Sequence, residues 1–124
     1  MRLRGAACAA IAVVSAASAQ TLSLEGMWGN EAGCRYARTG DIEGDEHLLL
    51  TTERLESYGT GCTWVEVLTA KGGEQVATGS CGYEGEASLG VERFIIVRDA
   101  ADFGLIRVLA ANGEVWGEGL RKCP

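Results

Sequence analysis

Residues 61–81 read GCTWVEVLTAKGGEQVATGSC, with a cysteine near each end and the glycine pair Gly72-Gly73 in the middle. In an antiparallel hairpin, opposed residues share a constant index sum. A turn centred on Lys71-Gly72 sets that sum at 143, which is also the sum for Cys62 and Cys81. Directly opposed residues bring their Cα atoms to roughly 4.5–5.5 Å, within the span a disulfide accepts. The stretch therefore predicts a hairpin stapled by Cys62–Cys81. The same register places Thr63 across from Ser80, Trp64 over Gly79, Val65 across from Thr78 and Val67 across from Val76, all ordinary cross-strand partners.

The other cysteines fit this reading. Residues 1–19, MRLRGAACAAIAVVSAASA, carry Arg2 and Arg4, then a small apolar run, then Ala17-Ser18-Ala19. Charged start, apolar middle and small-x-small end are the marks of a secretory signal peptide. The run is shorter and more alanine-rich than the roughly 20 strongly apolar residues a membrane anchor needs. Cleavage after Ala19 removes Cys8, which lies ahead of the apolar run and is badly placed for lipidation. It leaves Cys34, Cys62, Cys81 and Cys123 in a single domain spanning residues 20–124. An even number of cysteines in a short exported chain reads as disulfides. With Cys62 and Cys81 joined, Cys34 is left to pair with Cys123. The chain-entropy relation gives about 3 kcal/mol for the short loop and about 4.6 for the long one. The cysteines lie too far apart for a zinc site, and no C-x-x-C redox pair occurs. No metal or cofactor is expected.

Without Arg2 and Arg4 the chain keeps nine basic residues against 17 acidic ones, a formal charge of −8. That balance opposes nucleic acid and anionic lipid as partners, because both select a basic footprint. It suits solubility and tolerates a basic partner. No second apolar stretch is long enough to span a bilayer, so membrane insertion is not expected.

Glycine recurs among short apolar runs, and the one proline is Pro124. Strands are predicted over residues 22–29, 47–52, 54–58, 62–69, 74–83, 88–98 and 103–110, with a last one after Asn112-Gly113. A short turn within residues 30–46 is the best helical candidate. Asn-Gly favours a type I′ hairpin. An index sum of 225 there pairs Leu109 with Trp116, Arg107 with Glu118 as an ion pair, and Leu105 with Leu120. Eight or so short strands in meander order predict an all-β, antiparallel up-and-down barrel.

Gly26-Met27-Trp28 in the first strand resembles the Gly-x-Trp of the calycin group, which comprises lipocalins, avidin-like proteins and small bacterial metalloprotease inhibitors. The resemblance implies that Trp28 closes one barrel end and that a basic residue near the end of the last strand, here Arg121, packs over it. The GMWG run, Cys34, the Cys62 strand, the segment CGYEGE at 81–86 and the closing Arg121-Lys122-Cys123 are also similar to small secreted proteins of Gram-negative bacteria. This second resemblance implies a fold and a periplasmic or secreted compartment, and no activity.

Candidate chemistry is sparse. His47 is the only histidine and has no nucleophile motif around it. The acidic run from Asp41 to Glu46 departs from a calcium-binding EF-hand loop, with Glu46 at the glycine position and Thr52 at the bidentate position. Glu84 and Glu86, two apart on a predicted strand, would share one face. Catalytic carboxylate pairs usually face each other across a cleft. Trp64, Trp116, Tyr58 and Tyr83 read first as core. No catalytic residue is assigned. The expectation is a small non-catalytic binding or inhibitor-like module for an unknown small ligand or protein, with any ligand entering at the barrel end away from Trp28. The alternative is a structural envelope protein that exposes Trp64 or Trp116. A cleft joining His47 to two carboxylates would favour an enzyme.

Overall fold

The computed structural model describes residues 18–124. Apart from Ser18 and Ala19, the expected leader lies outside the described residues. The chain forms strands β1 (Ser18–Ala19) and β2 (Trp28–Gly29), helix α1 (Glu31–Thr39), then β3 (Leu48–Leu50), β4 (Arg54–Ser57), β5 (Thr60–Thr69), β6 (Gln75–Tyr83), β7 (Gly90–Arg98), β8 (Ile106–Ala110) and β9 (Val115–Lys122). Strands β2 to β9 pair antiparallel in chain order, and β2 also pairs with β9, so the sheet closes as an eight-stranded barrel. β1 lies outside this ring, against Val67 and Leu68 of β5.

Cys62 sits opposite Cys81 and is bonded to it, with Cα atoms 4.0 Å apart. Thr63 faces Ser80 and Trp64 faces Gly79, as the index sum requires. Beyond Trp64 the register moves by one, so that Glu66 faces Thr78 and Val67 faces Ala77. The expected pairs of Val65 with Thr78 and Val67 with Val76 do not form. Two causes act together. The turn holds three residues, with Gly73 at φ 94° and Ala70 donating to Glu74 O. A bulge at Val65 then absorbs the offset. Strict alternation from Cys62 and Trp64 would have pointed Glu66 into the barrel. The bulge leaves Val65 and Glu66 outside and turns Val67 inward.

The last hairpin differs for the same reason. Only its glycine, Gly113, has positive φ, so Asn112-Gly113 cannot make the expected type I′ turn, which needs positive φ at both residues. Leu109 faces Val115, Val108 faces Gly117 and Ile106 faces Leu120. The two register steps let Trp116 reach the core and keep Gly117 and Leu120 inward. Arg107 has no ion pair with Glu118; its guanidinium meets Asp99 at 3.0 Å.

The barrel interior is filled by its own side chains. Phe94, Leu50, Leu55, Ile106, Leu120 and Val108 are fully buried within one continuous cluster. The Phe94 ring meets Trp64 and Trp116 edge-on, at centroid distances of 5.8 and 5.0 Å. The predicted first strand is mostly not a strand. Leu22 and Leu24 are buried, and their segment crosses the barrel end through Leu22 N–H to Thr52 O (2.8 Å) and Ser23 N–H to Gln75 Oε1 (2.7 Å). Trp28 is buried in the same cluster as these two leucines. The cation over its ring is Arg98, at 5.1 Å from the centroid. Arg121, to which the resemblance gave this place, stands opposite Gly29, one pleat away from Trp28, and bonds to Asp102 at 2.9 Å.

The helical turn expected within residues 30–46 is a nine-residue helix. Asn30 caps it by accepting from Gly33 N–H, and Gly40 ends it at φ 77° with its N–H donated to Tyr36 O. The Cys34–Cys123 disulfide ties the helix to the chain end, with Cα atoms 5.2 Å apart. Among the described residues no helix is long and apolar enough to cross a membrane.

Candidate functional site

Leu48, Leu49 and Leu50 are all buried, which a strand at the surface of a small barrel does not allow on both faces unless something covers the outside. Leu48 and Leu50 belong to the barrel core, while Leu49 lies outside that cluster. Helix α1 provides the outer cover. Gly33 lets it approach, since a Cβ at that position would stand 1.9 Å from Leu48 O. Asn30 secures the seat: its Oδ1 accepts from Leu48 N–H at 3.0 Å as well as from Gly33 N–H, and its Nδ2 donates to Glu46 O. The residue held between Glu46 and Leu48 is His47.

His47 is 5 % exposed, and its ring tilts against Tyr36 at a centroid distance of 5.3 Å. Its Nδ1 is enclosed and has no hydrogen-bond partner among the described residues. Leaving such a group unsatisfied costs about 1–3 kcal/mol. The ring lines a cleft of about 410 Å³ shared with Tyr36, Glu56, Tyr58 and Glu84. The two carboxylates arrive from different elements. Glu56 is on β4, half-buried and paired with Arg54 at 3.4 Å. Glu84 leaves the end of β6, where its N–H donates to Gly59 O at 2.7 Å.

Glu84 and Glu86 therefore do not share a strand face as expected. Tyr83 ends β6, Gly85 turns at φ 79°, and Glu86 N–H donates to Tyr83 O. Tyr58 is exposed at the cleft rim, Trp64 lies in the core, and Trp116 packs against the core partly buried. The exposed tryptophan that an envelope scaffold would present is not found at either position. Sequence reasoning missed Tyr36 and Glu56 as neighbours of His47. Asn30 followed by Gly40 was the available signal for the helix that brings Tyr36 there.

The chain matches no family model, no curated protein and no solved structure. The chemistry of the cleft stands on its own residues. Two carboxylates and two phenol rings favour a cation, by charge pairing and by the ring faces. Ser57, the nearest hydroxyl in sequence to Tyr58, donates to Thr60 O and makes no pair with the imidazole. Among the described residues, the group of three potential metal ligands that comes together is Cys62, Cys81 and Glu92, and its two sulfurs are bonded to each other.

A second polar group lies at the barrel end away from Trp28. Glu92 is on the same side of β7 as Phe94 and has one carboxylate oxygen enclosed without a partner. Tyr83 covers Gly90, where a Cβ would meet its hydroxyl at 3.1 Å. Its phenol is raised above the ordinary value of 10.0, first by desolvation, then by hydrogen bonding to Glu92 and by the charges of Glu92 and Glu86.

Proposed function

We propose that this protein is an exported, non-catalytic binding module that receives a positively charged group, an ammonium or guanidinium, in the cleft at His47. The observation that carries this reading is the cleft that gathers Glu56, Glu84 and two tyrosines around His47. Glu56 and Glu84 supply the charge complement, and the rings of Tyr36 and Tyr58 supply the faces. The acidic balance of the chain supports a basic partner, since charge of one sign raises the encounter rate with the other. The packed interior supports surface recognition over carriage inside the barrel. Export rests on the leader pattern and on two disulfides, which persist in oxidising compartments. A place among calycin-like barrels is consistent with the closed eight-stranded ring and with Trp28 at its end.

An acid–base enzyme is the second reading, favoured by one specific feature, the meeting of a histidine with two carboxylates in one cleft. Binding is preferred because, among the described residues, no nucleophile or orienting group is bonded to His47 Nδ1. Titration of the labelled protein with arginine methyl ester, followed by NMR, tests the proposal. Saturable shifts at His47, Tyr36 and Tyr58 that vanish in Glu56→Gln/Glu84→Gln are expected. Absence of saturation, or shifts that survive the double substitution, would overturn it.

A further inference from the structure

The two disulfides stand in opposite surroundings. Cys62 and Cys81 are both fully buried within the core cluster. Cys81 is paired with Gly90, and Tyr83 covers that glycine. A carboxylate oxygen of Glu92 lies within 4.8 Å of both sulfurs. Thiol–disulfide exchange requires a thiolate to reach a sulfur atom. At Cys62–Cys81 the packing bars that approach, and the Glu92 carboxylate repels the incoming anion.

Cys34–Cys123 lies outside that core. Both residues are only half-buried, and Cys34 lines an open cleft of about 490 Å³ beside α1. Cys34 sits in the first turn of α1, where the helix dipole favours a thiolate over a thiol. It is therefore the better leaving group of the two, and Cys123 is the sulfur open to attack. The bond also sits beside the shortest closure of the ring. β2 meets β9 through two residue pairs, Trp28 with Lys122 and Gly29 with Arg121, and Cys123 N–H donates to Met27 O at 2.8 Å. The β5–β6 pairing, by contrast, runs from Thr60 and Tyr83 to Thr69 and Gln75 and holds Cys62 near Cys81 along its length.

We propose that Cys34–Cys123 is a reducible latch. A dithiol reductant opens it while Cys62–Cys81 stays closed, and opening loosens α1 and the β2–β9 seam in an otherwise intact barrel. One thiolate of the reductant attacks Cys123 Sγ, and Cys34 leaves as a thiolate that takes up a proton. The second thiol of the reductant then displaces Cys123, which leaves in the same way. The protein gains two electrons and two protons, and the reductant becomes a disulfide. Helix α1 is then held on β3 by Asn30 and by the packing at Gly33, without its covalent tie to the chain end. The Tyr36 ring rides on α1 against His47, so the latch acts on the His47 cleft whatever that cleft binds.

The experiment is timed reduction of the native protein by dithiothreitol, without denaturant and near neutral pH. Alkylation and peptide mapping by mass spectrometry identify the freed thiols, and NMR of the labelled protein follows the fold. Cys34 and Cys123 should take the alkyl group at least about tenfold faster than Cys62 and Cys81. At that stage the amide shifts should be confined to residues 26–40 and 119–124, and the contact between Tyr36 and His47 should weaken. Oxidised glutathione should restore the starting spectrum. Four results would each overturn the proposal: resistance of both bonds, equal rates, the reverse order, or a half-reduced protein in which residues 30–40 keep their shifts. Unfolding of the whole chain on the first reduction would expose all four cysteines together and so counts as equal rates.

Discussion

At the residue scale, the seating of helix α1 rests on Gly33. Gly33 has no room for a methyl group because the Leu48 carbonyl stands where it would go. Gly33→Ala should raise intrinsic helix propensity and still destabilise the protein by about 2 kcal/mol, since overpacking outweighs propensity. Thermal denaturation checks this, and a gain in melting temperature would contradict the packing. Tyr83 offers a second test. With its phenol raised above 10.0 in the fold, the native state holds that proton more tightly than the unfolded chain does. The corresponding stabilisation is complete below the unfolded value and is lost as pH rises through the folded value. Glu92→Gln removes a hydrogen-bonding carboxylate and its charge, so the phenolate absorbance should appear at lower pH than in the parent protein.

At the scale of elements, ion pairs hold loops to strands more than they hold the barrel. Asp102 lies in the turn between β7 and β8. Its carboxyl is held below the ordinary value of 3.8, first by hydrogen bonding to Arg121, then by Gly104 N–H, with the charge of Arg121 adding to both. The sign follows from the depressed value: the stabilisation is present above the unfolded carboxylate range and is lost as pH falls through the lower folded value. Carbon-13 titration of the side-chain carboxyl should show Asp102 moving upward in Arg121→Ala. The strand positions themselves were largely legible in the sequence. The staple register followed from two indices and a glycine pair because pairing near a covalent link is purely local. The bulges at Val65 and around Trp116 were not legible as such, because each is the response of a strand to what the barrel interior accepts. Cys62-x-Trp64-x-x-Val67 did contain the cue, an apolar interval of two followed by one of three. Helix α1 escaped a periodicity reading because nine residues hold too few turns to show one.

At the scale of the whole molecule, a barrel of eight short strands encloses little space, and aromatic side chains take it. Phe94→Ala should open a void between Trp64 and Trp116 and cost about 3–5 kcal/mol, measurable by denaturant unfolding. A smaller loss would mean that the two indoles close over the gap. The sequence by itself determined the cysteine pairing, the antiparallel order and the charge balance, because each depends on spacing or count along one chain. Tertiary structure decided the sites. Tyr36, His47, Glu56 and Glu84 come from a helix, a strand entry, a strand and a turn, and α1 is tied to the chain end only because Cys34 and Cys123 join distant parts of the sequence. Closure of the ring and the seating of α1 on β3 bring these residues together, through contacts that no spacing within one segment encodes.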